Sequence, residues 1–179
     1  MQEDEYTLIK NIQTGRTRDY EILVKRYQGA VYNLLLKMLY RPEAAEELTQ
    51  EVFIKAYENL GSFNYKSRFF SWIYRMAINT AISYRKKEKR YVHPDKLPDM
   101  KDNQTEATIM VNERDKLLKH AISLLKENYS AVIMLKYYEA LSYEEIAEVL
   151  EIPEKKVRSR LYDARRMLQI HLEKSDYFK

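Results

Sequence analysis

Leu141–Leu168, LSYEEIAEVLEIPEKKVRSRLYDARRML, reads as two helices joined by a tight turn, and it decides the fold. Ser142 is a strong helix N-cap, and Glu145 three residues on completes a capping box ahead of Ile146, Ala147, Val149 and Leu150. Glu151-Ile152-Pro153 forms the turn, because proline stops the first helix yet fits the start of the second. In the second helix Val157, Leu161, Ala164 and Leu168 fall within roughly 40° of one another at ~100° per residue, a narrow apolar seam. Lys155, Ser159, Tyr162 and Arg166 point the other way, with Arg158 and Arg165 on one flank and Lys156 on the other. A basic amphipathic helix alone has an ordinary explanation, a solvated face. A capped helix and a short turn directly before it make the pair a helix-turn-helix. Its second helix can bury one side and offer cations and hydrogen-bond donors to a DNA groove.

The rest of the chain is read outward from that pair. Its 179 residues are enough for one domain or two small ones. Only three Gly and four Pro, with helical periodicity almost throughout, predict an all-α protein. The net charge is only +4, so the basic residues act through clustering rather than by total. The absence of cysteine excludes disulfide frameworks, thiolate metal sites and cysteine nucleophiles. MQEDEYTLIK lacks the cationic-then-apolar order of a signal peptide, and no apolar run approaches the ~20 residues that span a bilayer. A cytoplasmic protein without membrane insertion is the expectation.

Along the chain, Tyr6–Asn11 and Asp19–Tyr40 read as helices around Thr14-Gly15-Arg16, with Leu23, Val31, Leu34 and Met38 at core spacing. Pro42 opens a third helix, to Leu60, whose first half is crowded by Glu43, Glu46, Glu47 and Glu51. Negative charge there is favoured by the helix dipole, but an acidic face with Gln50 and Phe53 also suits a basic partner; composition does not choose. Gly61–Arg68 reads as a loop before a helix with an aromatic front, from Phe69 through Trp72, and a basic end, Arg85–Arg90. Stacking on unpaired bases with cations along the phosphates, and an aromatic core with a dipole-stabilised basic end, both fit.

Val92–Glu106 has two of the four prolines and no helical periodicity, and it predicts a flexible linker. Helices over Ala107–Lys126 and Asn128–Glu139 then join the helix-turn-helix in a four-helix domain. The expected layout is therefore two small helical domains, 1–91 and 107–179, joined by 92–106. No glycine-rich phosphate loop, Gly-x-Ser-x-Gly or His-Glu-x-x-His is present, and His93, His120 and His171 lie far apart. Neither catalysis, nor a metal, nor a cofactor is expected.

These pieces, in this order, resemble an extracytoplasmic-function sigma factor of bacterial RNA polymerase. Glu47-Leu48-Thr49-Gln50-Glu51-Val52-Phe53 is similar to the family's polymerase-binding motif, acidic-Leu-Thr-Gln-Glu-x-Phe. Phe69–Ala81, FFSWIYRMAINTA, resembles its promoter-melting segment, and Ile152-Pro153 with Val157–Leu161 its −35-reading helix. The resemblance implies that Glu47, Leu48, Gln50, Glu51, Phe53 and Ile54 dock on the β′ clamp helices of core RNA polymerase. It implies that Phe63, Asn64, Tyr65, Lys66 and Arg68, with Trp72 and Asn79, capture a flipped-out base of the −10 element, while Arg85, Lys86 and Lys87 hold phosphates. Lys155, Lys156, Arg158, Ser159, Arg160, Tyr162 and Arg166 would read −35 while the domain rests on the β flap. An anti-sigma partner is implied as well.

The chain departs from the family pattern in having Tyr65 where Gly is frequent, Lys155-Lys156 where Gly-Thr is common, and Asp163 where a basic residue is usual. The competing expectation is a stand-alone helix-turn-helix regulator whose N-terminal half senses a signal or dimerises.

Overall fold

The computed structural model describes residues 4–91 and 106–173. Among these, every regular element is helical: α1 (Glu5–Gln13), α2 (Tyr20–Leu39), α3 (Pro42–Asn59), α4 (Phe69–Tyr91), α5 (Glu106–Leu124), α6 (Glu127–Ile133), α7 (Tyr143–Leu150) and α8 (Glu154–Glu173). The chain divides into two compact units, one containing α1–α4, the other α5, α6, α8 and α7 through Ala147. The expected linker lies outside the described residues except for Glu106.

In the first unit α2 packs against both α3 and α4. The fully buried apolar residues of these helices are Leu23, Val31, Leu34 and Leu35 of α2, the small and branched Ala45, Val52 and Ala56 of α3, and Phe69, Ile73, Ala77 and Ala81 of α4. The alanines let the helices approach closely while the larger side chains fill the space between them. Local chemistry sets the ends. Tyr40 closes α2 in the left-handed region at φ 55°, its N–H donating to the Leu36 carbonyl at 2.8 Å. Arg41 is extended, as a residue before proline must be, and Pro42 starts α3 where its missing N–H has no helical partner to lose.

The second unit bears out the reading of the helix-turn-helix. The Glu145 carboxylate accepts from the Ser142 N–H at 2.9 Å, and the Ser142 hydroxyl accepts from the Glu145 N–H at 3.1 Å, completing the capping box. Glu151 takes a left-handed φ of 50°, and the Ile152 N–H donates back to Ala147 at 3.1 Å, a Schellman closure of α7. The Pro153 carbonyl accepts from the N–H groups of Lys156 and Val157, so the proline caps α8 from outside. Val157, Leu161, Ala164 and Leu168 are the buried residues of α8, the seam that the spacing predicts.

One expected helix differs. Asn128–Glu139 is not a single α-helix: α6 stops at Ile133 and continues as a π turn over Met134–Tyr138. The Glu139 N–H donates to Met134 at 3.1 Å and the Leu141 N–H to Leu135 at 3.0 Å, so the last turn is wider than α. The widening keeps Met134 and Leu135 buried while the chain turns towards α7 through Ala140 at φ 54°. Ala140 is exposed, and its Cβ is the only side-chain atom opposing that conformation. An L residue there costs about 1–2 kcal/mol, against 0.4–1 kcal/mol of extra unfolded-state freedom for glycine. Ala140→Gly is therefore expected to stabilise the unit by up to about 1 kcal/mol, read as a rise in melting temperature; a fall would mean that the methyl group packs.

Candidate nucleic-acid and polymerase interface

Helix α3 sorts the residues of its motif by face. Leu48 and Phe53 are buried at 4% and 6% exposure, whereas Ile54 is 60% exposed. Glu47 and Gln50 are exposed, and Glu51 is half-buried in an i,i+4 ion pair with Lys55. Glu47, Gln50 and Ile54 follow i, i+3, i+7 spacing and form one outward stripe. Tyr57, 45% exposed, extends it by one turn and was not among the expected residues. Helical periodicity counts such a tyrosine as core; only its position beyond Ile54 on the same face could have flagged it. Tyr20 braces α3 from behind: its hydroxyl donates to the Phe53 carbonyl at 2.6 Å and its ring meets that of Tyr57 at 5.0 Å. Burial, with Tyr57 beside it, pushes the Tyr20 phenol well above its ordinary pKa, so it remains a donor throughout the neutral range.

The loop between α3 and α4 is tightly built. A 3₁₀ turn over Leu60–Ser62 is closed by the Phe63 N–H on Leu60 at 3.1 Å. Asn64 accepts from the Lys66 N–H at 3.1 Å through its side-chain oxygen, an Asx turn. Tyr65 then takes φ 60°, the conformation for which glycine is the usual residue. The ring of Phe63 is 4% exposed and stands edge-on to Tyr65, Phe69 and Trp72 at 5.1, 6.0 and 5.5 Å. Phe63 is thus the anchor of the loop, and the exposed side chains are Asn64, Tyr65, Lys66 and Arg68.

On α4, Trp72, Asn79 and Lys86 recur every seven residues and share one face, spanning about 21 Å at 1.5 Å per residue. Trp72 is half-buried against the aromatic cluster, Asn79 and Lys86 are exposed, and Arg85 and Lys87 flank the stripe, half-buried and exposed respectively. An aromatic front packed on Phe63 and Phe69 and a cationic rear therefore coexist on this helix.

On α8 the seam leaves Lys155, Lys156, Arg158, Ser159, Tyr162 and Arg166 exposed, with Tyr162 at 63%, and Arg160 half-buried. Arg158 is held on two sides: Nε donates to Glu154 at 3.1 Å, and the guanidinium lies 4.8 Å from the ring centre of Tyr143. Lys136 shares that ring at 4.9 Å and donates to the Leu141 carbonyl at 3.0 Å. The π turn thus brings a second cation to the first residue of α7. No helix among the described residues is long and apolar enough to cross a membrane.

Two helical units are thus present, one with a helix-turn-helix and the other with an aromatic–basic helix beside an acidic one. The family models agree: residues 23–91 match sigma-70 region 2 and residues 115–168 match sigma-70 region 4. The chain is 32% identical to the RNA polymerase sigma-H factor of Pseudomonas aeruginosa, over 96% of its length and 95% of the relative's. It is 33% identical to the ECF RNA polymerase sigma-E factor of Haemophilus influenzae, over 90% and 92%. It is 32% identical to the ECF RNA polymerase sigma factor SigW of Bacillus subtilis, over 92% and 94%. The fold is that of CnrH in its complex with the cytosolic domain of CnrY, with a TM-score of 0.67, 21% identity and coverage of 95% and 97%. It is also that of the Bartonella quintana sigma factor RpoE, solved with the anti-sigma factor NepR, with a TM-score of 0.63, 20% identity and coverage of 88% and 99%. The chain belongs to the extracytoplasmic-function sigma factors.

Proposed function

We propose that the protein is a promoter-specificity subunit: it binds core RNA polymerase, directs it to promoters carrying −35 and −10 elements, and opens the latter. The observation that carries this reading is the outward Glu47–Gln50–Ile54 stripe on α3, inside the region 2 match. A stand-alone regulator has no evident use for an exposed polar-and-isoleucine stripe carrying the polymerase-binding motif. Glu47, Gln50, Glu51 and Ile54 contact the β′ clamp helices, while Leu48 and Phe53 act from the core by fixing the helix that presents them.

Asn64, Tyr65, Lys66 and Arg68, with Trp72 and Asn79, receive the unpaired −10 base, and Phe63 anchors the loop beneath them. Extruding a base costs a few kcal/mol, which stacking and edge hydrogen bonds must offset. Arg85, Lys86 and Lys87 hold the backbone phosphates. Lys155, Lys156, Arg158, Ser159, Arg160, Tyr162 and Arg166 meet the −35 major groove, with the second unit on the β flap. An anti-sigma protein regulates the chain, which acts in the cytoplasm, needs no cofactor and performs no bond chemistry of its own.

Base readers and phosphate holders respond differently to substitution. Arg158→Ala is expected to relax preference at one −35 position, by about 1–3 kcal/mol of discrimination. Lys86→Ala is expected to weaken binding on all sequences alike and to reduce the salt slope by about 1. Holoenzyme affinities for a promoter and its −35 variants, measured across a salt series, test both. Equal losses on every DNA from both substitutions would overturn the division.

A further inference from the structure

Gln13, the last residue of α1, lies outside both family-model matches and far in sequence from the −10 loop, yet its side chain is bonded to that loop three times. Its Nε2 donates to the Leu60 carbonyl at 2.8 Å and to the Phe63 carbonyl at 3.2 Å, and its Oε1 accepts from the Tyr65 hydroxyl at 2.6 Å. The amide orientation follows from its partners. The two carbonyls can only accept, and the reversed amide would set oxygen against both. Among uncharged side chains only an amide offers two donors and an acceptor at one tip, and asparagine is one methylene shorter.

The loop has reason to need this hold. Tyr65 sits at φ 60°, a region that L side chains rarely adopt, where glycine would rest without help. Its ring lies between Tyr6 of α1, 5.7 Å away, and Phe63, 5.1 Å away. Helix α1 therefore grips Tyr65 by ring and hydroxyl, and Gln13 also ties down the carbonyls at both ends of the 3₁₀ turn.

We infer that Gln13 is a positioning residue for promoter opening: it locks Tyr65 in the left-handed conformation and fixes the geometry in which Asn64, Tyr65 and Lys66 meet the unpaired −10 base. The inference rests on the reading of this loop as the −10 reader. Gln13 itself does not touch the DNA; it acts through Tyr65 and the loop backbone.

The test uses holoenzyme reconstituted from the full chain and core RNA polymerase, on pre-melted promoter DNA with each non-template −10 base in turn made abasic. Gln13→Met keeps the stem and removes the amide; Tyr65→Phe keeps the ring and removes the hydroxyl. The unaltered protein should lose about tenfold or more in affinity where the captured base is missing. Gln13→Met should bind intact DNA about tenfold more weakly, lose little further on the abasic DNA, and retain its affinity for core polymerase. Tyr65→Phe should show a smaller loss, about threefold to fivefold, at the same position.

If Gln13→Met discriminates base from abasic site as sharply as the unaltered protein does, the inference is overturned. A parallel loss on both DNAs overturns it too, since that marks a merely structural residue. Should Gln13→Met fail to fold, Tyr65→Phe decides alone, and undiminished discrimination sinks the idea. An unaltered protein indifferent to abasic sites at every −10 position would instead remove the loop reading itself, and the inference with it.

Discussion

A Gln50→Ala/Ile54→Asp double variant is expected to lose more than about 100-fold in affinity for core RNA polymerase while its melting temperature hardly moves. Both side chains point outward from α3, Ile54 with 60% of its surface exposed, so neither contributes much to the core. Surface changes of this kind usually alter stability by less than about 0.5 kcal/mol. At an interface the same changes are severe. Burying an isoleucine contributes about 1.5–3 kcal/mol, and an aspartate in its place sets an unpaired charge in a desolvated patch. Loss of a central anchor residue commonly costs 2 kcal/mol or more, and the sum exceeds the roughly 2.7 kcal/mol that corresponds to 100-fold. Titration of labelled protein with core polymerase measures it. Phe53→Ala is the wrong probe for this purpose, despite its place in the motif. Its ring is 6% exposed, and its removal would weaken the unit before any partner arrived.

Phe69→Ala is expected to destabilise the first unit by about 3–5 kcal/mol, a large part of the 5–15 kcal/mol that holds a typical domain together. Phe69 is fully buried, and its ring meets Tyr27 at 5.4 Å, Phe63 at 6.0 Å and Trp72 at 5.6 Å. Truncation leaves a ring-sized cavity among three aromatics that have little freedom to collapse into it. Thermal or urea unfolding gives the value directly. Because Phe63 anchors the loop and Trp72 begins the α4 stripe, DNA melting by the holoenzyme should fall even at temperatures where the variant is folded. A loss under about 1 kcal/mol would mean that the cluster is looser than its ring distances indicate.

What the sequence made legible was periodic or local. The capping box at Ser142 and Glu145, the proline-bounded turn and the four-residue seam of α8 all follow from spacing, and each is present as expected. In α3 helical spacing puts Ala45, Leu48, Val52 and Ala56 on the inner face, where all four are buried, but the family motif does not say which way Phe53 points. Phe53 lies between Gln50 and Ile54 within little more than one turn, and matching letters cannot separate a buried face from an exposed one. Phe63 sits in sequence among exposed loop residues, yet it belongs to the core.

Features outside the apolar periodicity left no trace in the chain. The π turn after Ile133 arises from backbone bonds across one extra residue, with the helical apolar pattern intact. Gln13 is one polar residue at the end of a nine-residue helix. Nothing in its neighbours announces bonds to Leu60, Phe63 and Tyr65, since the contact exists only once α1 has packed beside the loop. Tyr65 in place of glycine signalled a changed loop; the compensation for it lay elsewhere.

Sigma activity is tested by transcription with core RNA polymerase from a library of random linear DNA, with and without the protein, followed by mapping of RNA 5′ ends. Starts that appear only with the protein, each downstream of one shared pair of sequence blocks at −35 and −10, are the predicted result. An unchanged set of starts, with the folded protein binding a DNA site in the absence of polymerase, would contradict the account and make the chain a stand-alone regulator.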